Sequence, residues 1–218
     1  MTESVGKRCT YPVRRLAFLC AGLIIMAFGV VFSIKAALGT SPISSVPYVT
    51  ARISGMSVGT TTIIMNFIFV LIQIGILRKQ YQWFQLLQFP AAVLFGVMID
   101  VAEAVLAPLP AGNYAQQWLL CAAGIFFIAL GVSVEVMANL VTTAGEGIVL
   151  AICKVVPVKF GNMKMAFDIT LVCISIVLSL LFLGQLDGVR EGTVAALWVG
   201  QITKRFQPLM KTLERAVL

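Results

Sequence analysis

The sequence predicts an all-α fold: a polytopic transmembrane helix bundle of about six spans, arranged as an inverted repeat of three spans, each half with a short re-entrant or half-helix connector. Three observations predict it. The 218 residues are 60% hydrophobic and 11% charged, against about a quarter charged in a soluble domain. Several uncharged runs approach the roughly 20 residues needed to cross the ~30 Å hydrocarbon core. The chain also matches itself weakly at an offset of 102 positions.

One membrane domain, 1–218, fills the chain, with a basic segment at 1–15, a first repeat at 16–107 and a second at 116–210. Lys7, Arg8, Arg14 and Arg15 precede the uncharged run Leu16 to Ile34. That run is longer than the apolar region of a signal peptide, and no clear small-residue cleavage site follows, so it reads as a retained first helix. Further spans are expected at Val58 to Leu77, Trp83 to Ile99, Trp118 to Val134 and Ile169 to Leu186. Thr193 to Ile202 is shorter and flanked by Glu191 and Lys204; as a sixth span it must tilt, be covered by neighbours or snorkel its charges.

With six spans and a cytoplasmic N-terminus, Lys and Arg at 7, 8, 14, 15, 78, 79, 154, 159, 164, 204, 205, 211 and 215 fall inside, and Arg52 and Arg190 outside. This bias satisfies the positive-inside rule. It places both termini in the cytoplasm. An eight-span alternative, in which 41–54 and 140–156 also cross, scores almost as well by charge. Length disfavours it, because about 14 residues at ~1.5 Å each reach only ~21 Å. Pro42 and Pro47 in the first connector disfavour it further.

At the offset of 102, Gly29-Val30 meets Gly131-Val132, Ala36 meets Ala138, Leu38 meets Leu140, Thr40 meets Thr142, and Gly59 meets Gly161. Ser41 also meets Thr143, and Asn66 meets Asp168. An odd number of spans per half forces opposite orientations, and inverted repeats place a substrate site where broken segments meet near the midplane.

Lys35-Ala36-Ala37-Leu38-Gly39-Thr40-Ser41-Pro42, followed by Gly59-Thr60, is similar to the YczE/YitT-like family of bacterial membrane proteins. The resemblance extends over nearly the whole chain. It implies an integral membrane protein of transport-related or uncharacterised function and carries over no catalytic residues. The second copy, Ala138 to Gly147, lacks the Gly-x-x-Pro arrangement of the first.

Charge within a membrane is costly, so each ionisable group there needs a partner, a cavity or the headgroups. Glu135 follows seventeen uncharged residues, and Glu146 lies in the second connector after Thr142-Thr143. Either both line a site, or Glu135 ends a helix at the headgroups and Glu146 is solvated. Asp168 stands four residues beyond Lys164, the spacing of a neutralised pair on one helix face. Asn66 can pack against a neighbouring helix or meet a ligand. Asp100 and Glu103 either admit a cation or proton or sit at the outer headgroups, and Lys35 either snorkels or faces an anion. The hydroxyls of Thr40, Ser41, Ser44, Thr142 and Thr143 either cap the connectors' short helices or bind substrate. Gly55 and Gly59 read as a turn, and Tyr81, Trp83, Tyr114 and Trp118 as interfacial aromatics.

These residues favour a small-solute transporter or permease whose path is lined by Ser41, Ser44, Asn66, Glu135, Thr142, Thr143, Glu146 and Asp168. A nonenzymatic membrane accessory or regulator of another system is the second reading, and an intramembrane enzyme ranks last. Histidine is absent and the five cysteines are scattered, which removes His-based catalysis and gives no metal site, cofactor site or disulfide framework. No phosphate-binding G-x-x-x-x-G-K-[ST] motif is present. The expected partners are the lipid bilayer and a small-molecule or ion substrate. Homo-oligomerisation stays open. Nucleic acid is excluded, since the net charge of +7 sits between apolar runs rather than along one face.

Overall fold

The computed structural model describes residues 12–109 and 112–196. Helix α1 runs Pro12–Lys35, α2 Pro42–Ser54, α3 Val58–Leu77, α4 Gln88–Val105, α5 Tyr114–Ala138, α6 Ala144–Val155, α7 Phe160–Leu183 and α8 Glu191–Ala196. Two short 3-10 turns, Arg78–Gln80 and Trp83–Leu87, join α3 to α4. Five helical segments are long and apolar enough to cross a membrane, and no strand occurs among the described residues. Their outward faces are apolar: Leu71 on α3, Leu119 on α5 and Leu181 and Phe182 on α7 are all exposed. Such surface belongs against lipid.

The connectors form short helices. Pro42 opens α2 at a position where its missing N–H costs nothing, and Gly55, with φ of 72°, ends it. At 13 and 12 residues, α2 and α6 reach only ~20 Å and ~18 Å, well short of the hydrocarbon thickness. The fifth span begins at Phe160 rather than Ile169, because Lys164 and Asp168 neutralise each other across 2.7 Å inside the helix. The third begins at Trp83 as expected, its 3-10 turn leading into α4, and continues past Ile99 through Asp100 and Glu103 to Val105. Of the sixth span only α8 is described; residues 197–202 lie outside the described residues, as do Cys9 and the basic residues at 7, 8, 204, 205, 211 and 215.

The helix starts recur in register. Pro12, Pro42 and Val58 open α1, α2 and α3, and Tyr114, Ala144 and Phe160, each 102 positions later, open α5, α6 and α7. The breaks after α1 and α5 correspond too: Ala37 and Asn139 both adopt positive φ, 54° and 46°.

Helices α1 and α5 cross at the centre of the molecule with their backbones almost touching. A methyl group added at Gly22 would lie 2.9 Å from the carbonyl oxygen of Gly131, and one at Gly29 would lie 3.0 Å from that of Gly124. Because 22 faces 131 while 29 faces 124, the two helices run antiparallel. On one side α1, α4 and α5 pack through Leu23, Ala27, Ile99, Ala102 and Ile128. On the other, α3, α6 and α7 pack through Phe69, Val70, Ile148, Val149 and Leu171. The short helices exchange partners between halves, α2 lying against α7 and α6 against α3.

Candidate functional site

Between these two packing centres lies a cavity of about 630 Å³, within the range of roughly 300–1,000 Å³ typical of small-molecule sites. All eight residues singled out above, Ser41, Ser44, Asn66, Glu135, Thr142, Thr143, Glu146 and Asp168, line it. Residues distant in sequence converge because both short helices begin here: Ser41 and Pro42 lead into α2, and Thr143 and Ala144 lead into α6. The rest of the wall is largely apolar, with Leu19, Leu23, Met26 and Val30 from α1, Phe95 from α4 and Ile128 from α5.

The second connector carries most of the charge. Glu135, in the last turn of α5, is only 3% exposed. Its Oε1 accepts a hydrogen bond of 2.6 Å from the backbone N–H of Thr143, so one carboxylate satisfies a free donor at the start of α6. The other oxygen, Oε2, is buried with no hydrogen-bond partner among the described residues. An unpaired buried carboxylate oxygen is costly and therefore informative. Arg15 Nη1 donates to the carbonyl of Ala138 at 3.1 Å and closes the end of α5. Across the cavity, Lys164 Nζ donates to Asp168 Oδ1 at 2.7 Å.

The first connector is neutral and tied down. Ser41 Oγ donates to Ser44 Oγ at 2.9 Å, and Ser45 Oγ donates to the carbonyl of Pro42 at 2.7 Å. The backbone N–H of Thr40 donates to Gly188 O at 2.9 Å, Gly192 N–H to Leu38 O at 2.7 Å, and Arg190 Nη1 to Ala37 O at 3.1 Å. The loop between α7 and α8 thus clamps the break between α1 and α2. At the far end of α2, Arg52 meets Asp187 at 3.3 Å.

Several sequence readings are corrected by this geometry. Neither Ser41 nor Thr143 makes a side-chain cap; at α6 the Glu135 carboxylate takes that role, and at α2 Ser41 Oγ meets Ser44 Oγ instead. Glu135 does not end its helix in solvent. Asp100 caps α3 from α4, its Oδ1 accepting from Gly59 N–H and its Oδ2 from Ser57 Oγ, both at 2.8 Å. Gly55 makes the expected turn, but Gly59 lies inside α3 against the backbone of Gly96. Thr40, Lys35 and Glu103 stand outside the cavity lining.

Three polar lining residues were missed as such: Thr62, Gln88 and Lys164. Gln88, 3% exposed between apolar neighbours, carried a readable signal, because a buried amide in such a run needs partners. Its neighbour Gln73 donates through Nε2 to Ala144 O at 3.0 Å and fastens the first turn of α6 to α3. A side chain at Gly147 would strike the amides of Gln73 and Gln88, at 2.6 and 2.8 Å from the added carbon. Among the described residues no three His, Cys, Asp or Glu side chains converge on a metal-sized site.

A Bacillus subtilis (strain 168) protein described as uncharacterized membrane protein YczE is 34% identical over 129 residues, 59% of this chain and 58% of the relative. The chain therefore matches less than two thirds of that relative's length. No solved structure matches the chain. Residues 13–208 match the family of unknown function DUF6198, so a membrane helix bundle with a central polar cavity here belongs to DUF6198, and the chain is one of the YczE-like membrane proteins.

Proposed function

We propose that this protein is a nonenzymatic small-solute transporter or permease, built from two inverted halves around the cavity described above. The carrying observation is that cavity: mid-bundle, and lined by polar and charged groups from both halves at the starts of two short helices. The recurrence of helix starts at 102 positions, the antiparallel crossing of α1 and α5 and the exchanged packing of α2 and α6 all favour inversion. Short helices that break at membrane depth are tolerated where they face a cavity.

In this reading α8 continues as a sixth span, the membrane is the bacterial inner membrane and both termini are cytoplasmic. The cavity wall draws on both halves of α1, the first half of α3 and α7 and the last half of α5; in this reading its charged end, at the end of α5 and the start of α7, lies toward the cytoplasm. The opposite end is shut by the Arg52–Asp187 pair and by the clamp of Gly188 and Arg190 on the first connector. Glu135, Glu146, Asp168 and Asn66 with Ser41, Ser44, Thr142 and Thr143 are the substrate contacts.

Purified protein reconstituted into liposomes and screened with a solute panel tests the proposal. Saturable uptake that falls at least tenfold, by about 1.4 kcal/mol or more, in Glu135→Gln or Glu146→Gln is expected. Absence of flux for every solute, with loss of some other membrane system's activity in cells lacking the protein, would establish the accessory role instead.

A further inference from the structure

From the charge and shape of this cavity we infer that its ligand is an amphipathic organic cation, a molecule with an apolar body and an ammonium or comparable head, whose head is bound by Glu135 and Glu146. The inference rests on the transport reading for its purpose, though not for its geometry. Three carboxylates, from Glu135, Glu146 and Asp168, line the wall, and Lys164 is the one basic side chain among the described lining residues. Lys164 is already committed to Asp168 at 2.7 Å. Three carboxylates against one ammonium leave the described lining with two acidic groups in excess.

Glu135 makes the imbalance specific. It is almost fully buried and lines the cavity, one oxygen is held by Thr143 N–H, and the other has no hydrogen-bond partner among the described residues. A cationic donor is the group that satisfies such an oxygen, through a charge-assisted hydrogen bond. An anionic ligand would instead meet two like charges in a site of low dielectric.

The remaining wall selects the rest of the ligand. Leu23, Met26, Val30, Phe95 and Ile128 give it a continuous apolar face, which desolvated sugars or amino acids would leave their hydroxyls or carboxylates unpaired against. A bare metal ion is a poor fit, since about 630 Å³ far exceeds an ion's size and no three ligating side chains among the described residues converge. A few acidic groups in a chamber whose wall is otherwise largely apolar suit a head and a body.

Matched probes of opposite charge test this. The full-length protein in lipid nanodiscs is titrated with radiolabelled 2-phenylethylammonium and with 3-phenylpropanoate, similar in size and opposite in sign, and with tetraphenylphosphonium as a bulkier cation; empty nanodiscs correct for partitioning. Saturable binding of at least one cation, none of the anion, and an affinity reduced about tenfold or more in Glu135→Gln are expected. Glu146→Gln should reduce it about threefold or more, which keeps the test intact if the first variant fails to fold. Saturable anion binding, no saturable binding of either cation, or cation affinity unchanged in both variants overturns the inference. Cation binding without flux in liposomes overturns the transport reading and leaves the site standing; flux of neutral or anionic solutes without cation binding does the reverse.

Discussion

The first turn of α3 and the first turn of α7 occupy corresponding places, 102 positions apart, yet one is sealed and the other is open. At α3, Asp100 reaches across from α4 to Gly59 N–H and Ser57 Oγ, and Gly59 and Gly96 bring the two backbones into contact. At α7, Lys159 makes no side-chain cap, a side chain at Gly161 would meet open space, and Phe160, Gly161 and Lys164 border the cavity. A shared frame has been closed at one end by a carboxylate and a pair of glycines, and left accessible at the other. The same division runs through the polar residues: Ser33, Ser44, Thr62 and Asn66 in the first half stand where Glu135, Glu146, Lys164 and Asp168 stand in the second. At these four positions one half supplies neutral side chains and the other supplies charge.

Paired substitutions break this comparison most directly. Gly59→Ala drives a methyl group into the carbonyl of Gly96 and the carboxylate of Asp100, and should cost about 2 kcal/mol or more, as overpacking of a tight contact does. Its thermal unfolding midpoint in detergent should fall by several degrees. Asp100→Asn, which removes a charged acceptor from the start of α3, should cost about 1–2 kcal/mol in the same assay. Gly161→Ala, by contrast, should raise the midpoint slightly, by up to about 1 kcal/mol, because a helical glycine is replaced where nothing is in the way. Equal losses for the two alanine substitutions would mean that both starts are sealed. The smallest change belongs to Arg52→Gln: its side chain is 59% exposed, so loss of the Asp187 pair should alter stability by less than about 1 kcal/mol.

Much of the frame was legible in the sequence because lipid makes hydrophobic run length a strong signal. The short connector helices followed from length and from Pro42 and Pro47, and the 102-residue register was visible in ordered Gly and Thr positions. The start of α7 was not, because Lys164 and Asp168 look prohibitive singly and harmless only as a pair. The cavity residues were picked out by polarity, which marks a group as needing a partner without naming one. Thus Glu135 was found, but its bond to Thr143 N–H was not. Asp100 was noticed too, but not the groups it serves, which lie 41 and 43 residues away, a relation that no local pattern records.

The glycines of the α1–α5 crossing limit how the two halves can move. Gly22 and Gly29 are seven residues apart, as are Gly124 and Gly131, so contact recurs after about two turns, ~10.5 Å along each axis. Shifting one helix past the other by a single turn would take Gly22 off Gly131 and Gly29 off Gly124, ending both close backbone approaches at once. Glycine faces glycine at both levels only in this registry. Relative motion of α1 and α5 that keeps both contacts is therefore tilting about this spindle, and axial gliding gives them up.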